Sequence, residues 1–406
     1  MGTLFIDRAT VIDPFHDVFE EKDIAVPVEG ADRHIDGAGR YLFPSFVDVH
    51  VHFRDPGFPE KETLETGAEA ALHGGYGHVV CMANTDPVME GDVISDFYAR
   101  AESLPVYAYT VSALTRGLKG EELVDMDDAI ARGAVGFSDD GLPLKGRELL
   151  KEALDKAKSL DVPVSLHEED PAFVETPGID SRYAKAFGFK GAEAMAEYSL
   201  SARDLALAYR AGAKLDIQHI SCGLTARLVS AFAASGGRVL GELTPHHLTM
   251  TGEDVETYGA LAKMNPPLRT AEDEAVLRTF VGDSHFAIAT DHAPHTREEK
   301  KKSLEEAPSG IVGLETAFPL LYTELVLNGS VALEDLVGAL TVVPANFYRL
   351  PHAGVAGGDF VVFNPDKTTR VDEAFFRGRS ANSPLLGRTL SGAIEGIVVK
   401  GRYHAF

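Results

Sequence analysis

The fold of this 406-residue chain is decided by one stretch, Phe46–Gly57, which reads FVDVHVHFRDPG. Its apolar and β-branched residues indicate a buried β-strand. Because side chains alternate between the two faces of a strand, His50 and His52 project from one side, about 7 Å apart, and Arg54 follows on that face. The turn residues at 55–57 end the strand, so the three side chains lie at its carboxyl end. In an α/β barrel, that end carries the chemistry.

Beyond this stretch, strand-like and helical patterns alternate as far as about residue 350. Seven further strand-like runs follow the first: 77–82, 106–111, 134–138, 162–166, 215–218, 238–242 and 285–290. Such alternation predicts parallel strands joined by crossover helices. With the first strand there are eight units, and polar residues follow most of them. The sequence therefore predicts an α/β fold in which residues 43–350 form a TIM-type (β/α)8 barrel of the metallo-hydrolase kind.

The two ends of the chain differ from the middle. Short β-like runs separated by acidic or glycine-containing turns occupy residues 1–42 and 351–406. They are too short for helices with a buried face. We expect the two ends to combine into one small β-sandwich domain that flanks the barrel.

Composition limits the classes of partner. The formal net charge of −24 at pH 7 disfavours nucleic acid and anionic membranes, and an anionic substrate would need local positive charge. No run approaches the roughly 20 apolar residues of a membrane span, and the acidic first 26 residues do not resemble a signal peptide. Cys81 and Cys222 are too few for a disulfide framework. We therefore expect a cytoplasmic protein.

Metal-binding side chains stand at five of the predicted strand ends. They are His50, His52, Asp140, His167, His219 and Asp291. An isolated H-x-H pair is as often two ordinary strand histidines, but six such residues at one end of a barrel are a much stronger signal. Imidazole and carboxylate suit Zn²⁺, and six exceed what one four-coordinate zinc needs, so one or two ions are expected. Metal ions would activate water there, and Asp291 is the candidate to carry its proton to a leaving nitrogen.

Several long motifs, in this order along the chain, resemble the class I bacterial dihydroorotases of the amidohydrolase superfamily. They are 50–57 (HVHFRDPG), 84–85 (NT), 137–141 (FSDDG), 263–269 (KMNPPLR), 289–295 (ATDHAPH) and 310–316 (GIVGLET). The resemblance covers nearly the whole chain. It implies the zinc-dependent, reversible opening of dihydroorotate to N-carbamoyl-aspartate in pyrimidine biosynthesis. It also implies that the six residues at the strand ends bind zinc, with Asp140 bridging two ions.

The same resemblance implies a set of substrate contacts. These are Arg54, Asn84, Asn265 and His295, with backbone contacts from Ser309 and Gly310. The chemistry agrees, because arginine pairs with a carboxylate in a bidentate way and asparagine can bind ring amide groups. A homodimer and an assembly with aspartate carbamoyltransferase are the macromolecular partners to consider.

Two rival functions are weighed against this one. Hydantoinases and allantoinases hydrolyse ring amides too, but many such relatives bridge their metals with a carbamylated lysine. The run 134–138 contains no lysine, and Lys145 lies beyond the turn. A non-catalytic partner of the transferase should have lost metal-binding residues, whereas this chain retains all six.

Some neighbouring residues are expected to be structural. Asp139 fits a turn acid, and His246, His247 and His292 fit structural or supporting positions. The 296–308 loop, which follows the last strand, is a candidate cover for the site.

Overall fold

The computed structural model describes residues 1–406. Its strands are β1 Gly2–Asp13, β2 Val18–Val28, β3 Arg33–Asp36, β4 Tyr41–Pro44, β5 Phe46–Val51, β6 Tyr76–Cys81, β7 Tyr107–Thr110, β8 Pro163–Leu166, β9 Lys214–Ile217, β10 Arg238–Leu243, β11 Phe286–Ile288, β12 Phe360–Arg370, β13 Thr389–Val399 and β14 Arg402–Ala405. Its α-helices are α1 Leu64–His73, α2 Asp92–Ala101, α3 Met126–Ala131, α4 Arg147–Leu160, α5 Ser181–Ala184, α6 Met195–Ala211, α7 Gly223–Ala234, α8 Pro245–Thr249, α9 Asp254–Tyr258, α10 Ala271–Arg278, α11 Arg297–Lys300, α12 Ala317–Leu321, α13 Leu333–Leu340 and α14 Val342–Tyr348. None of these helices is both long and apolar enough to cross a bilayer.

Parallel strands fill the middle of the chain. One sheet has the order β5-β6-β7, and a second has the order β11-β10-β9-β8. Phe137 links the two sheets by parallel bridges to Ser112 and Val164, and Val51 pairs with His292 on the other side. Followed from strand to strand, these pairings return to β5. The carboxyl ends of the strands therefore point the same way, as the alternating sequence pattern predicts.

The predicted strand at 134–138 is the least regular member of this circuit. Its β-bridges are confined to Phe137, whose N–H donates to Pro163 O at 3.1 Å and whose carbonyl accepts from Ser165 N at 2.9 Å. Val135 N also donates to Thr110 O at 3.0 Å, and Ser138 N donates to Ser112 O at 2.9 Å. Glycine weakens a strand interior, and Gly136 lies within the run. A Cβ on this residue would lie 3.0 Å from Pro163 O, so the close approach of the neighbouring strand favours glycine.

Helix α1 shows how local sequence sets the crossover helices. It occupies Leu64–His73. Thr63 caps it by accepting from Thr66 N, and the Thr66 side chain accepts from Thr63 N in return, which is a capping box. Helix α1 buries Leu64, Ala68 and Ala71 in the core.

The chain ends meet in a separate seven-stranded sheet. Its order is β14-β13-β12-β4-β1-β2, with β3 beside β1. The pairing of β12 with β4 joins the C-terminal strands to the N-terminal ones. Strand β4 extends this sheet to Pro44, two residues past the expected boundary at 42.

A polar joint connects this sheet to the amino ends of the parallel strands. His78 Nε2–H donates to Asp359 Oδ2 at 2.8 Å, and His352 Nε2–H donates to Ser45 O at 2.9 Å. The two imidazoles are 4.7 Å apart between ring centroids, and His352 Nδ1 accepts from Gly354 N. Since these ring nitrogens already have protein partners, the joint is held by hydrogen bonds.

Candidate active site

Four of the predicted metal-binding side chains meet where β5 and β11 end. His50 Nε2 lies 3.5 Å from Asp140 Oδ1 and 3.7 Å from Asp291 Oδ1. His52 Nε2 lies 3.1 Å from Asp291 Oδ1 and 3.5 Å from Asp140 Oδ2. His52 is one residue beyond β5, but its N–H donates to His292 O at 2.9 Å and continues the pairing. The two imidazoles of the H-x-H pair therefore face the same two carboxylates.

The remaining two histidines approach from the other side of Asp140. His219 Nε2 lies 3.7 Å from Asp140 Oδ1 and 3.0 Å from His167 Nδ1. Both rings are buried. The structure thus brings all six residues together, with Asp140 between the H-x-H pair and His219.

The donor set fits divalent metal ions. His50 Nε2 and Asp140 Oδ1 are buried and make no hydrogen bond in the protein, although buried polar atoms are normally paired. Burial would raise the pKa of Asp140, but His50 and His219 hold it well below its usual range. Burial would also raise the pKa of Asp291, but the neighbouring imidazoles of His52 and His50 hold it below its usual range. Two ionised carboxylates beside four imidazoles are a typical ligand set for zinc.

Glu242 accepts hydrogen bonds from two residues of this centre. Its Oε2 accepts the His50 Nδ1–H at 2.8 Å and the backbone N–H of His219 at 3.0 Å. One fully buried carboxylate therefore orients residues from two strands and leaves His50 Nε2 as the free nitrogen. Sequence patterns do not predict this role, because their only signal is an acid inside an apolar strand.

Replacing Glu242 with glutamine is expected to weaken zinc binding by about 10–100-fold, the usual effect of losing an outer partner of a metal-binding histidine. Competition with a chromogenic chelator measures this affinity. Glu197→Gln is the matched control, because Glu197 is a buried acid that accepts from Ser221 and Cys222 and touches none of the six residues. Equal affinities for both variants would contradict the role of Glu242.

Glu169 is a second acid that the sequence analysis left without a role. Its Oε2 lies 3.5 Å from His167 Nε2 and accepts from Asn265 Nδ2 at 3.1 Å. Burial lowers the pKa of His167, but the hydrogen bond and charge of Glu169, together with the charges of Asp140 and Asp291, raise it above its usual value. The available signal was the acidic run directly after His167. Asn265 itself, a predicted substrate contact, keeps a buried Oδ1 without a protein partner.

Asn84, another predicted substrate contact, lies inside the centre. Its Oδ1 accepts from His52 Nδ1–H at 3.0 Å, and its Nδ2 donates to Asp140 Oδ2 at 3.0 Å. Both ends of the amide are therefore in use, and the residue ties one imidazole to one carboxylate.

Basic side chains lie around His295 at one side of the six-residue centre, in a region called the corner below. Arg54 donates from Nε to Pro294 O at 3.4 Å. Burial and the charges of Arg54, Lys300 and Lys61 lower the pKa of His295 to about 2, so its ring is neutral. The His295 Nε2–H donates to Ser309 O at 2.8 Å. Lys61 is paired with Glu299 at 2.8 Å, whereas Arg54 forms no ion pair in the protein. In a protein with a net charge of −24, Arg54 can therefore supply the local positive charge that an anionic ligand needs.

Gly310 lies beside His295 in this corner, and its position requires glycine. Its φ is +110°, and an added Cβ would lie 2.5 Å from the Cβ of Ala293. Its N–H donates to Lys263 O at 2.8 Å. The 296–308 loop is fastened nearby, since Lys300 Nζ donates to Ala260 O and Pro308 O.

The residues expected to be structural have structural contacts. Asp139 accepts from the backbone N–H groups of Leu114 and Thr115. His292 Nδ1 accepts from Gly313 N at 3.2 Å, and His247 Nε2–H donates to Pro266 O at 3.1 Å. His246 is buried beside them, and burial lowers its pKa to about 4. Lys145 is exposed.

Comparison with known proteins gives a consistent picture. The family model described as Dihydro-orotase-like matches residues 39–223. A dihydroorotase of Clostridium acetobutylicum is 41% identical over 98% of this chain and 94% of its own length, and one of Lactococcus lactis is 38% identical over 98% of each. Among solved structures, an L-hydantoinase from Arthrobacter aurescens superposes with a TM-score of 0.85 at 24% identity, covering 99% of this chain and 96% of that one.

Proposed function

The chain belongs to the dihydroorotase family, and on that premise we propose that its six-residue centre binds zinc and interconverts (S)-dihydroorotate and N-carbamoyl-L-aspartate. The protein is a cyclic amidohydrolase of pyrimidine biosynthesis. The observation that carries the proposal is the position of Asp140 between the H-x-H pair and His219, with unpaired buried donor atoms beside it.

We infer that the circuit of parallel pairings is the predicted (β/α)8 barrel. Its support is the bridge between Val51 and His292, which joins the last strand to the first, and the fold shared with the hydantoinase structures. The β-domain would then comprise 1–44 and 351–406, because β4 pairs with β1 and β12. The barrel would begin at the next residues.

The six residues would hold one or two zinc ions. His50, His52 and Asp291 would hold one, and His219 with the neighbouring His167 would hold a second, with Asp140 shared between the two groups. When bound, the ions would activate water and polarise the carbonyl group of the ring amide.

Asp291 would move the proton. Because the pKa of Asp291 lies below its usual range, the side chain is an ionised acceptor at neutral pH. In the hydrolytic direction it would accept a proton from the attacking water. It would then deliver that proton to the ring nitrogen as the C–N bond breaks, which produces the ureido group and a new carboxylate.

The positive corner would bind the carboxylate of the substrate. Arg54 would pair with it in a bidentate way, since only its Nε contacts the protein. Asn265 Oδ1, which lacks a protein partner, would accept from a ring N–H group. His295, whose Nε2–H is already donated to Ser309 O, and the 309–310 backbone would contact other atoms of the substrate.

Arg54→Met is expected to raise the KM for dihydroorotate about 10–100-fold, because a charged hydrogen-bonded pair contributes about 1.5–3 kcal/mol. Zinc content should not change. Steady-state kinetics with Arg54→Lys alongside tests the geometry, since lysine keeps the charge but loses the planar fork. An unchanged KM in Arg54→Met would contradict the carboxylate contact.

The likeness to hydantoinases extends to the fold alone, and the 134–138 run offers no lysine to bridge metals. Assembly as a homodimer or with aspartate carbamoyltransferase stays a prediction. Size-exclusion chromatography of the chain alone and mixed with the transferase tests it, and monomeric elution in both runs would contradict it.

A further inference from the structure

A segment that joins two strands of the seven-stranded sheet lies against the predicted substrate corner, which is formed by Arg54, His295 and Gly310. It comprises residues 371–388, between β12 and β13, and its central side chain is Asn382, which is 5% exposed. Asn382 Oδ1 accepts from the backbone N–H of His295 at 3.0 Å. Its Nδ2 donates to Ala293 O at 3.1 Å and to Gly310 O at 3.2 Å. One amide thus joins the loop after β11 to the 309–312 loop.

The chemistry of these contacts requires an amide. The side chain has to accept one hydrogen bond and donate two, which asparagine does and aspartate cannot. With aspartate, a carboxylate oxygen would face two carbonyl oxygens. With alanine, the carbonyls of Ala293 and Gly310 would lose these donors in a buried place.

The same segment also holds the loop that follows Arg54. Arg379 N–H donates to Glu62 Oε1 at 2.9 Å, and Ser380 Oγ donates to Lys61 O at 2.7 Å. That loop folds back on Arg54, whose carbonyl accepts from Phe58 N at 2.8 Å. The segment therefore contacts all three loops that carry the predicted carboxylate contacts.

We propose that Asn382 is a positioning residue that sets the spacing of Arg54, His295 and Gly310, and with it the recognition of the substrate carboxylate. The inference rests on the proposed function, because it assigns the corner to that carboxylate. Asn382 makes no hydrogen bond to any of the six residues of the centre. Its loss should therefore weaken substrate binding and leave zinc binding intact. In this way the β-domain takes part in substrate selection.

The test uses zinc-loaded full-length protein and the variants Asn382→Ala and Asn382→Asp. Ser383→Ala is the matched control, because the buried Ser383 Oγ accepts from Leu385 N within its own segment. Both Asn382 variants should raise the KM for dihydroorotate about tenfold or more, with kcat within about threefold of the parent. The inhibition constant of orotate, a ring with the same carboxylate, should rise in parallel, while that of uracil should not. Zinc content should stay constant.

Other outcomes would overturn the inference. These are an unchanged KM in both variants, an equal weakening of orotate and uracil, or a fall in kcat with loss of zinc. If Asn382→Ala does not fold, the isosteric Asn382→Asp decides. A zinc-loaded parent that does not open dihydroorotate would overturn the proposed function, and the inference with it. An active parent with unaffected variants would overturn the inference alone.

Discussion

Asp291→Asn is expected to lower kcat for dihydroorotate hydrolysis by about 10²–10⁴-fold, the usual contribution of a positioned proton carrier. Asparagine has nearly the same shape and still offers one oxygen toward His52, but it cannot take up a proton. Since the pKa of Asp291 lies below its usual range, the parent enzyme keeps this acceptor ionised at neutral pH. Stopped or continuous assays of ring opening measure the loss.

Two measurements make this test specific. Zinc content of Asp291→Asn should remain near that of the parent, because five other ligands stay in place. Asp283→Asn, a half-exposed acid just before the other end of β11, should leave kcat unchanged. Full activity of Asp291→Asn would contradict the proton transfer. If the activity falls only in proportion to the zinc content, Asp291 acts as a metal ligand and not as the proton carrier.

Asp140→Ala should have the second large effect, because this carboxylate lies between both groups of imidazoles. We expect the number of bound zinc ions to fall from two to one or none. Losing a residue that only hydrogen-bonds to a metal ligand lowers activity about 10–100-fold. The loss of Asp140, a ligand itself, should lower activity by more than this. Metal analysis of the purified protein, paired with the ring-opening assay, measures both quantities.

The adjacent acid provides the control for Asp140. Asp139 accepts from the amides of Leu114 and Thr115 and does not face the imidazoles, so Asp139→Asn should keep the full zinc content. If Asp140→Ala binds as much zinc as the parent and remains active, the bridging role is wrong.

The sequence predicted the family and the meeting of the six residues, and the relatives confirm the family. The reason is local, because each metal-binding residue follows a run of buried strand character, and strands in one parallel sheet end on the same side. Even Asp140 lies in the centre, although the run before it forms β-bridges only at Phe137, one to Ser112 and one to Val164. These two bridges position the turn that carries Asp140.

Other features lay outside the reach of sequence patterns. Glu242 resembles any acid in a strand until its carboxylate is seen to accept from His50, which is 192 positions away. Asn382 contacts residues 72–89 positions earlier, from a segment without strand or helix periodicity. The substrate contact of Asn84 stays a prediction, whereas its hydrogen bonds with His52 and Asp140 depend on side-chain geometry that strand ends alone do not specify. Long-range polar contacts of this kind follow from packing.

The most direct test of the account is the rate of ring opening by zinc-loaded protein on dihydroorotate, measured beside hydantoin and dihydrouracil, which lack the carboxylate. We predict rapid opening of dihydroorotate and negligible turnover of the other two, because the corner at Arg54 would recognise the carboxylate. Failure to open dihydroorotate with zinc bound, or faster opening of a ring without the carboxylate, would contradict it.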